Sequence, residues 1–318
     1  MSSKVLKVFI DNEGKPANIP DYKTIITQSN ALRPEQVTAI NVTGVRLALD
    51  MKSHLDVSDI WVKFGPGITV GEANTQHYVA QYLQANNVTA VRAPRVYLAF
   101  TWGMFCFIVS EFIDGPMCAS SDFALVAPAV QALISIPSPS LTPGPVGGGL
   151  IEHPFFNDRV SSIQYESVEE LQDHANGILR VTGRPGRVNF TDEVASHGLR
   201  LCVSDLRRVN FMRDGENGIV AVDFGGYSFL PPSFFTFALL HGGSIFALRM
   251  AHMFECPPSP YGHLDAMVGA SFALVPYGTN DVGLPKRLKA RRQAIIDAHM
   301  RSNATYERSI AARKRATA

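Results

Sequence analysis

The chain has 318 residues, of which 46% are hydrophobic and 18% are charged, and its formal net charge is +1. These values describe a folded protein with a sizeable core, and they exclude a disordered tail or a small disulfide-stapled domain. A net charge this close to zero gives no overall attraction to nucleic acid or to a membrane surface, so we expect neither as a partner.

The start of the chain and the cysteines indicate where the protein works. The first residues, MSSKVLKVFIDNEGKP, contain no apolar signal core, and no run approaches the roughly 18 apolar residues of a membrane span. The four cysteines share no CxxC spacing, which favours buried free thiols over disulfides or zinc ligands. We therefore expect a cytoplasmic protein.

The first predicted elements form a small sheet. Short β-branched or aromatic segments, separated by Asn, Gly, Asp or Ser, are typical of strands. Four such segments occur, at residues 37–42, 45–51, 59–65 and 105–113. Between the third and the fourth, residues 71–87 (GEANTQHYVAQYLQANN) have apolar positions in helical register. The pattern predicts a sheet with one helix inserted before its last strands.

From Ser120 onward the pattern is helical with long loops. Residues 122–136, 168–182 and 234–252 predict helices. Residues 137–156, PSPSLTPGPVGGGLIEHPFF, form a loop rich in Pro and Gly, and loops of this length in compact domains usually carry function.

The end of the chain is its basic part. Between Lys286 and Arg315 there are ten Lys and Arg residues against two acidic ones. The segment predicts a terminal helix on an acidic surface. A nucleic-acid arm is the alternative, but the aromatic residues expected of a stacking surface are absent from it.

One stretch concentrates oxygen-bearing side chains on a mostly apolar background. In FMRDGENGIVAVDF, residues 211–224, two short strands flank a hairpin turn, so that Asn210 and Asp223 lie at the same end of the ribbon. Asp205 precedes Asn210 by five residues, across a loop. Two carboxylates and an amide oxygen suit Mg²⁺ with phosphate groups better than zinc, with one carboxylate left to accept a hydroxyl proton.

The order of these residues resembles a known family. D-x-x-x-x-N, a hairpin and then Val-Asp-Phe-Gly is similar to the catalytic and metal-binding loops of protein-kinase-like phosphotransferases. The nearest resemblance is to the aminoglycoside phosphotransferase and choline-kinase-like family, in its fungal-type branch. It implies that Asp205 orients or deprotonates an acceptor hydroxyl, and that Asn210 and Asp223 bind Mg²⁺ and nucleotide phosphates.

Upstream segments resemble the partners of these loops in the right order. Lys63 resembles the strand lysine that points at the phosphates of ATP, and Glu72 resembles its ion-pair partner on the following helix. The segment FIVSEFIDGPMC resembles the hinge, where backbone groups near Glu111 and Ile113 read the adenine edge. The loop from Gly144 to Phe156 resembles a segment of the fungal-type branch.

The resemblance implies an α+β, protein-kinase-like fold with two lobes. Residues 1–113 form the N-terminal lobe, a small antiparallel β-sheet with one helix, which binds the nucleotide. Residues 114–318 form the larger, mainly helical C-terminal lobe, with the catalytic loop, the metal site, the acceptor pocket and the basic terminal helix. The implied activity is phosphoryl transfer from ATP, with Mg²⁺, to a hydroxyl of a small molecule, whose identity and the oligomeric state stay open.

The sequence departs from the family pattern at several positions. Val203 stands where the family has a histidine that braces the catalytic loop through hydrogen bonds, and Arg207 and Arg208 follow the catalytic aspartate. Gly44 is the one glycine where protein kinases use three. These departures keep a second hypothesis open, an inactive pseudokinase that binds nucleotide or a small ligand. A protein kinase proper is disfavoured because nothing after Asp223 resembles an activation segment.

Two further features have a functional and a structural interpretation. His153 either lines the acceptor pocket or hydrogen-bonds to backbone, and the second is the commoner role of a loop histidine. The glycines at 147–149 either wrap an anion or form a turn, and the turn is the commoner reason for such a run.

Overall fold

The computed structural model describes residues 5–31, 43–54, 56–215, 218–256, 259–298 and 300–301. It confirms the predicted α+β class, with an antiparallel sheet near the N-terminus and a helical region after it.

Five antiparallel strands form the N-terminal sheet, in the order β1-β4-β5-β3-β2. They are β1 (Leu6–Asp11), β2 (Thr43–Ala48), β3 (Asp59–Gly65), β4 (Val96–Trp102) and β5 (Phe105–Glu111). Two helices accompany the sheet, α1 (Tyr22–Ala31) and α2 (Val70–Ala85).

In the described residues after β5, the chain forms six helices, two small ribbons and a terminal helix. The helices are α3 (Phe123–Ile134), α4 (Val168–Val181), α5 (Phe190–His197), α6 (Pro232–His241), α7 (Ile245–Met250) and α8 (His263–Leu274). The ribbons pair β6 (Arg200–Val203) with β9 (Tyr227–Leu230), and β7 (Phe211–Asp214) with β8 (Gly218–Ala221). The terminal helix, α9, covers residues 286–298 in its continuously described part.

The strongest sequence patterns match these elements. Residues 59–65 coincide with β3, and 71–87 fall within two residues of α2. The predicted hairpin is β7–β8, whose turn residues 216–217 lie outside the described residues, as does the predicted strand 37–42.

Several elements differ from the prediction. The sequence patterns did not predict β1, α1, β4, α5, α8 or β9. The single helix predicted at 234–252 is wrong, because two helices with a bend of 115° between them occupy that segment. Gly243 has a φ of 77°, a left-handed conformation that glycine adopts readily and that commonly ends a helix.

Helix α2 joins the sheet to the helical region. Its first turn is capped by the Thr69 hydroxyl, which accepts a hydrogen bond from the Glu72 N–H at 3.0 Å. Ala73 packs in the core beneath the sheet, whereas Val79 and Leu83 belong to the large core of the helical region. One helix therefore fixes Glu72 relative to both parts of the protein.

The described part of α9 lies on acidic residues, as the charge pattern predicts. The Arg291 guanidinium contacts Glu166 at 2.8 Å and Glu170 at 2.7 Å. Arg287 contacts Asp173 at 3.0 Å. The contacts fix the start of the basic segment on α4 and the loop before it.

The cysteine prediction is also confirmed. All four cysteines are free thiols, and three of them are buried. Burial raises the pKa of Cys106 and of Cys202 to about 12, and that of Cys118 to about 11.

Among the described residues no single helix has the length and apolar composition to cross a membrane, although α6 and the helical segment 245–253 meet those criteria when taken together.

Candidate active site

A cavity of about 410 Å³ lies between the N-terminal sheet and the β7–β8 ribbon. Its sheet side is lined by Gly44, Trp61, Lys63, Glu72, Gln76, Pro94, Ile108, Ser110, Glu111, Phe112 and Ile113. Its other side is lined by Met117, Val209, Asn210, Met212, Val222 and Asp223. Six of the seven residues named above as site residues thus line one cavity, and Asp205 contacts one of them.

Lys63 is the centre of an ion-pair triad at this cavity. Its ammonium contacts Glu72 Oε1 at 2.5 Å and Asp223 Oδ1 at 2.7 Å. Glu72 is 3% exposed, Lys63 is 18% exposed and Asp223 is 54% exposed. The pair predicted from the sequence is therefore a largely buried contact and not a surface ion pair.

The triad keeps Lys63 charged. Burial alone lowers the pKa of Lys63, but the carboxylates of Glu72 and Asp223 outweigh burial and raise that pKa above its ordinary value. Burial raises the pKa of Glu72, and the Lys63 ammonium opposes that rise. At neutral pH the arrangement presents one fixed ammonium to the cavity.

Glu111 and Ile113, the residues predicted to form the hinge, line the cavity wall. The Glu111 N–H donates to the Arg95 carbonyl at 2.9 Å, and the Glu111 carboxylate accepts from Arg92 at 3.0 Å. Within the described part of the chain, no protein group hydrogen-bonds to the N–H or the carbonyl of Ile113, which is buried at the cavity wall. Ile113 is thus the better candidate for reading a ligand edge, and the N–H of Glu111 is not available.

Gly44 has a packing role. A side chain there would lie 2.1 Å from an indole carbon of Trp61 on the neighbouring strand. The glycine therefore lets the Trp61 ring lie across β2 at the cavity wall. This contact gives a structural reason for the lone glycine of the segment.

Asp205 and Asn210 form one hydrogen-bonded loop. The Asn210 amide donates to the Asp205 carbonyl at 2.8 Å and to Asp205 Oδ2 at 3.0 Å. The Val222 N–H donates to the Asn210 carbonyl at 2.9 Å, which ties this loop to the residue before Asp223. The convergence predicted from the hairpin is present for this set.

The turn after β8 brings Asp223 to the loop in a rare conformation. Asp223 has φ 61° and ψ 74°, in the left-handed region that non-glycine residues seldom adopt. The Ser204 N–H donates to the Gly226 carbonyl at 3.0 Å. A side chain on Gly226 would lie 3.2 Å from Asp205 Cβ, so glycine allows the close approach of the two segments. Backbone strain of this kind is common at functional sites.

Two further residues lie near Asp205 and Asp223, namely Arg159 and Glu152. The sequence motifs did not indicate either of them. Arg159 Nη2 contacts Asp205 Oδ1 at 3.1 Å, and Arg207 Nε contacts the same oxygen at 3.0 Å. Burial raises the pKa of Glu152, the Arg159 guanidinium opposes it, and the carboxylates of Asp223 and Asp205 add to it. Both residues follow the glycine run of the long loop, whose length is the sequence signal that pointed to function.

His153 has the structural role. It is fully buried, its Nδ1 accepts from the Phe155 N–H at 3.0 Å, and its Nε2 lies 2.9 Å from the Phe234 carbonyl. Nε2 therefore carries the proton and donates it to that carbonyl. Burial lowers the pKa of His153 to about 3, so the ring is neutral and does not serve an acceptor pocket.

The glycine run packs against its neighbours. Gly147 and Gly148 have φ of 81° and 89°. A side chain at Gly147 would lie 2.7 Å from the Asn74 amide, and one at Gly148 would lie 2.5 Å from the Gln164 amide. These glycines form a left-handed turn held against α2, as the commoner interpretation predicts.

The donors at the cavity suit a hard cation bound together with phosphates. Asn210 directs its amide nitrogen to Asp205, which leaves the amide oxygen for another ligand, and Asp223 has a second oxygen besides the one at Lys63. An amide oxygen and a carboxylate are the kind of donors that Mg²⁺ takes in nucleotide sites. Among the described residues, no group of three or more His, Cys, Asp or Glu side chains is placed to hold a metal ion. Such a cation would therefore need phosphate oxygens to complete its shell.

The sequence matches neither a protein-family model nor a curated protein. Several solved structures have a similar layout at low identity. The choline kinase LicA of Streptococcus pneumoniae is 15% identical over 86% of this chain and 97% of its own, with a TM-score of 0.39. The complex of APH(2″)-IIia with GDP and kanamycin is 13% identical over 88% and 96%, with a TM-score of 0.38.

A third similar structure is an aminoglycoside phosphotransferase from Alicyclobacillus acidocaldarius, 12% identical over 78% of this chain and 90% of its own, with a TM-score of 0.32. The function of this chain has therefore to be inferred from its own residues.

Proposed function

We propose that this protein transfers the γ-phosphoryl group of ATP to a hydroxyl of a small molecule. The observation that carries the proposal is the Lys63 ammonium, held between Glu72 and Asp223 at a cavity whose opposite side is Asn210, bonded to Asp205. A fixed cation for phosphate, a carboxylate with a neighbouring amide for a metal, and a carboxylate beside them are the parts that phosphoryl transfer uses.

The residues divide the work. Lys63 binds phosphate oxygens, and Glu72 keeps the ammonium directed at the cavity. The apolar walls, including Trp61 and Ile108, exclude water from a planar base, and the backbone of Ile113 reads its edge. We assign nucleotide binding mainly to residues 1–113 and acceptor binding to residues 114–318.

In this proposal Asp205 orients the acceptor hydroxyl and accepts its proton. The hydroxyl proton passes to the Asp205 carboxylate, the acceptor oxygen forms a bond to the γ-phosphorus, and the bond from that phosphorus to ADP breaks. Asn210 and Asp223 would hold Mg²⁺, which neutralises phosphate charge when bound. Most of the rate enhancement would come from positioning and charge, since the protein forms no covalent bond.

A binding protein without phosphotransfer activity is the second candidate. Asp205 Oδ1 accepts a hydrogen bond from Arg159 and forms an ion pair with Arg207, and Oδ2 accepts from Asn210, which leaves the carboxylate few lone pairs for a proton. Val203 supplies no polar group to the loop. This occupancy is the observation that favours a pseudokinase.

Location and family branch complete the proposal. We propose a cytoplasmic enzyme on the basis of its free, mostly buried thiols, since reducing compartments keep cysteines in this state. Assignment to the fungal-type branch depends on the loop 144–156 and stays a prediction.

Nucleotide binding tests the proposal first. Thermal unfolding is followed with ATP or ADP, with and without Mg²⁺, for wild type and Asp223→Ala. A ligand at a hundredfold excess over its Kd stabilises the native state by about 2.7 kcal/mol, and we expect this Mg²⁺-dependent gain in wild type and its loss in Asp223→Ala. The control is Asp214→Ala, which removes another aspartate of the same ribbon, bonded to Arg92. No gain with either nucleotide, or an equal gain in Asp223→Ala, would contradict the proposal.

A further inference from the structure

The Arg159 guanidinium joins two atoms of the catalytic loop. Its Nη2 donates to the Ser204 carbonyl at 3.3 Å and to Asp205 Oδ1 at 3.1 Å. The same guanidinium nitrogen thus binds both the backbone carbonyl just before Asp205 and the side chain of Asp205. The contact spans 46 residues of sequence, from the turn that follows the long loop to the second residue after β6.

The backbone that carries Arg159 is in a strained conformation. Asp158 has φ 54° and Arg159 has φ 63°, so two adjacent non-glycine residues are left-handed. Such residues persist where the surrounding structure determines them, and they concentrate at functional sites. An ordinary turn of the same length has no need of this conformation.

The surroundings of this turn hold it in place. The His153 N–H donates to the Arg159 carbonyl at 2.7 Å, and the Arg159 N–H donates to the Phe156 carbonyl at 3.0 Å. The side chain of Asn280, which is buried, accepts from the Asn157 N–H at 2.8 Å and donates to the Asn157 carbonyl at 2.9 Å. It also donates to the Val160 carbonyl at 2.8 Å. Arg159 therefore extends from a rigid support.

The loop that Arg159 contacts lacks its expected brace. Val203 occupies the position of the histidine that braces this loop in the resembled family, and Val203 is completely buried in β6 opposite Tyr227. An isopropyl side chain makes no hydrogen bond. Arg159 supplies hydrogen bonds to the same loop from another segment.

We propose that Arg159 is the positioning residue of Asp205, and that the strained turn 153–159 with Asn280 exists to aim it. The catalytic consequence rests on the proposed function, whereas the bracing of the loop does not. Arg159 acts through Asp205 and is not itself assigned a contact with the reacting atoms.

Arg207 provides a matched comparison within the same site. It contacts the same Oδ1 at 3.0 Å and carries the same charge. Its side chain is 58% exposed, its φ of −121° is ordinary, and it lies two residues from Asp205. If charge alone mattered, loss of either arginine would have the same effect. If the rigid support matters, loss of Arg159 has the larger effect.

Hydrogen exchange of the loop amides tests the brace without any ligand. The informative amides are those of Ser204, Arg207 and Asn210, whose hydrogen bonds close the loop. We expect Arg159→Gln to raise their exchange rates about tenfold, with Arg207→Gln much closer to wild type. Equal exchange in Arg159→Gln and wild type, or the same increase in both variants, would overturn the inference.

Two further variants protect the test against a misfolded Arg159→Gln. Arg159→Lys keeps the charge but replaces a planar fork with a point donor, so we expect intermediate exchange. Asn280→Ala, which leaves Arg159 in place, should release the turn and raise exchange in the same loop. Wild-type exchange in both variants would overturn the role of the rigid support.

Turnover separates positioning from general folding. At saturating Mg²⁺ and ATP, we expect ADP release by Arg159→Gln to fall about a hundredfold, while its Kd for ATP stays near that of wild type. Equal loss of binding and turnover would mean a general structural role and overturn the inference. Absence of nucleotide binding in wild type would instead refute the proposed function, and loop exchange would still decide the bracing role.

Discussion

The two ends of the cleft are built differently. At the proposed nucleotide end, defined by Lys63, Glu72 and Ile113, the key ion pair joins β3 to the helix that follows it, nine residues later. At the proposed acceptor end, defined by Asp205, Asn210 and Arg159, a local loop is completed by a turn from 46 residues upstream. The first is a short-range design and the second depends on distant segments.

The two ends differ in how many separate segments must be in place. A strand lysine and a helix glutamate keep their geometry as long as β3 and α2 pack together. The acceptor end combines a strained turn, a buried asparagine and a loop that follows the apolar Val203. If the proposed function holds, Lys63 and Glu72 are the part with fixed geometry, and the loops of the other end carry the acceptor specificity.

Removal of Lys63, at the nucleotide end, should reduce stability more than any other substitution considered below. Lys63→Met leaves Glu72 buried without its cation, and breaking a buried pair costs about 3–5 kcal/mol. Because burial raises the pKa of Glu72, the deficit is greatest at neutral pH and shrinks as the pH falls through that raised pKa.

Urea unfolding at neutral and acid pH measures this effect. Arg46→Met, which removes a more exposed cation of the same sheet and its contact with Asp59, is the control and should change stability far less. A Lys63→Met deficit that does not depend on pH would contradict the buried-carboxylate explanation.

A substitution at Gly177, which packs near the support of the turn 153–159, should raise hydrogen exchange at the acceptor end alone. A side chain at Gly177 in α4 would lie 2.0 Å from the backbone oxygen of Gly283, close to Asn280 in sequence. Neither backbone can yield easily, so Gly177→Ala should cost about 1–3 kcal/mol and raise hydrogen exchange in residues 153–159.

Gly269→Ala in α8 is the matched control for this substitution. Its added carbon would make an ordinary contact at 3.6 Å with Leu179, so it should be neutral or stabilise by up to about 1 kcal/mol. Exchange in the β3–β5 sheet should not change in either variant. Faster exchange throughout the sheet would mean that the two ends are not separable.

Acid should weaken the acceptor end through buried histidines. Burial lowers the pKa of His153 to about 3 and that of His174 to about 4. Both rings bind protons more readily when unfolded, so stability is complete above pH 6.5 and falls below it. Each histidine contributes about 1.4 kcal/mol per pH unit until its folded pKa is reached.

The pH dependence of urea unfolding between pH 7.5 and 5 checks this prediction. His153→Gln removes the titration of one buried histidine, so the slope should fall even though the variant is less stable at every pH. An unchanged slope would mean that His153 takes up its proton in the folded state.

The smallest effect is expected outside the cleft. Arg287→Gln removes an exposed contact with Asp173 on the surface of α4, and such pairs are worth about 1 kcal/mol or less. Nucleotide affinity and loop exchange should stay at wild-type values. A change in either would show that the position of α9 is coupled to the site.

The sequence could predict the nucleotide end because its signals are local. Lys63 lies on a strand whose buried and less buried positions alternate, and Glu72 lies in the first turn of a capped helix. At the acceptor end, the spacing from Asp205 to Asn210 is also a local signal. These features need only short-range geometry. The predicted roles of these residues stay predictions until ligands are measured.

The remaining features depend on contacts between distant segments. Nothing in the letters around Arg159 indicates a φ of 63° or a contact with Asp205, because both arise from a turn fixed by Asn280. Strand β1 was missed for a similar reason, since it is an edge strand defined by its pairing with β4. Gly243 lies at the break in the helix predicted at 234–252. Glycine is a helix-ending residue that the sequence shows, but the apolar periodicity on both sides of it favoured one continuous helix.

The most direct test of phosphoryl transfer follows the γ-phosphorus of ATP by ³¹P NMR. Wild type and Asp205→Asn are incubated with saturating Mg²⁺ and ATP, with and without a pool of small hydroxyl compounds. Our account predicts conversion of ATP to ADP by wild type, with phosphate or a new phosphomonoester as the second product, and its loss in Asp205→Asn at unchanged ATP affinity. Bound ATP that stays intact with wild type, or equal conversion by both proteins, would contradict it.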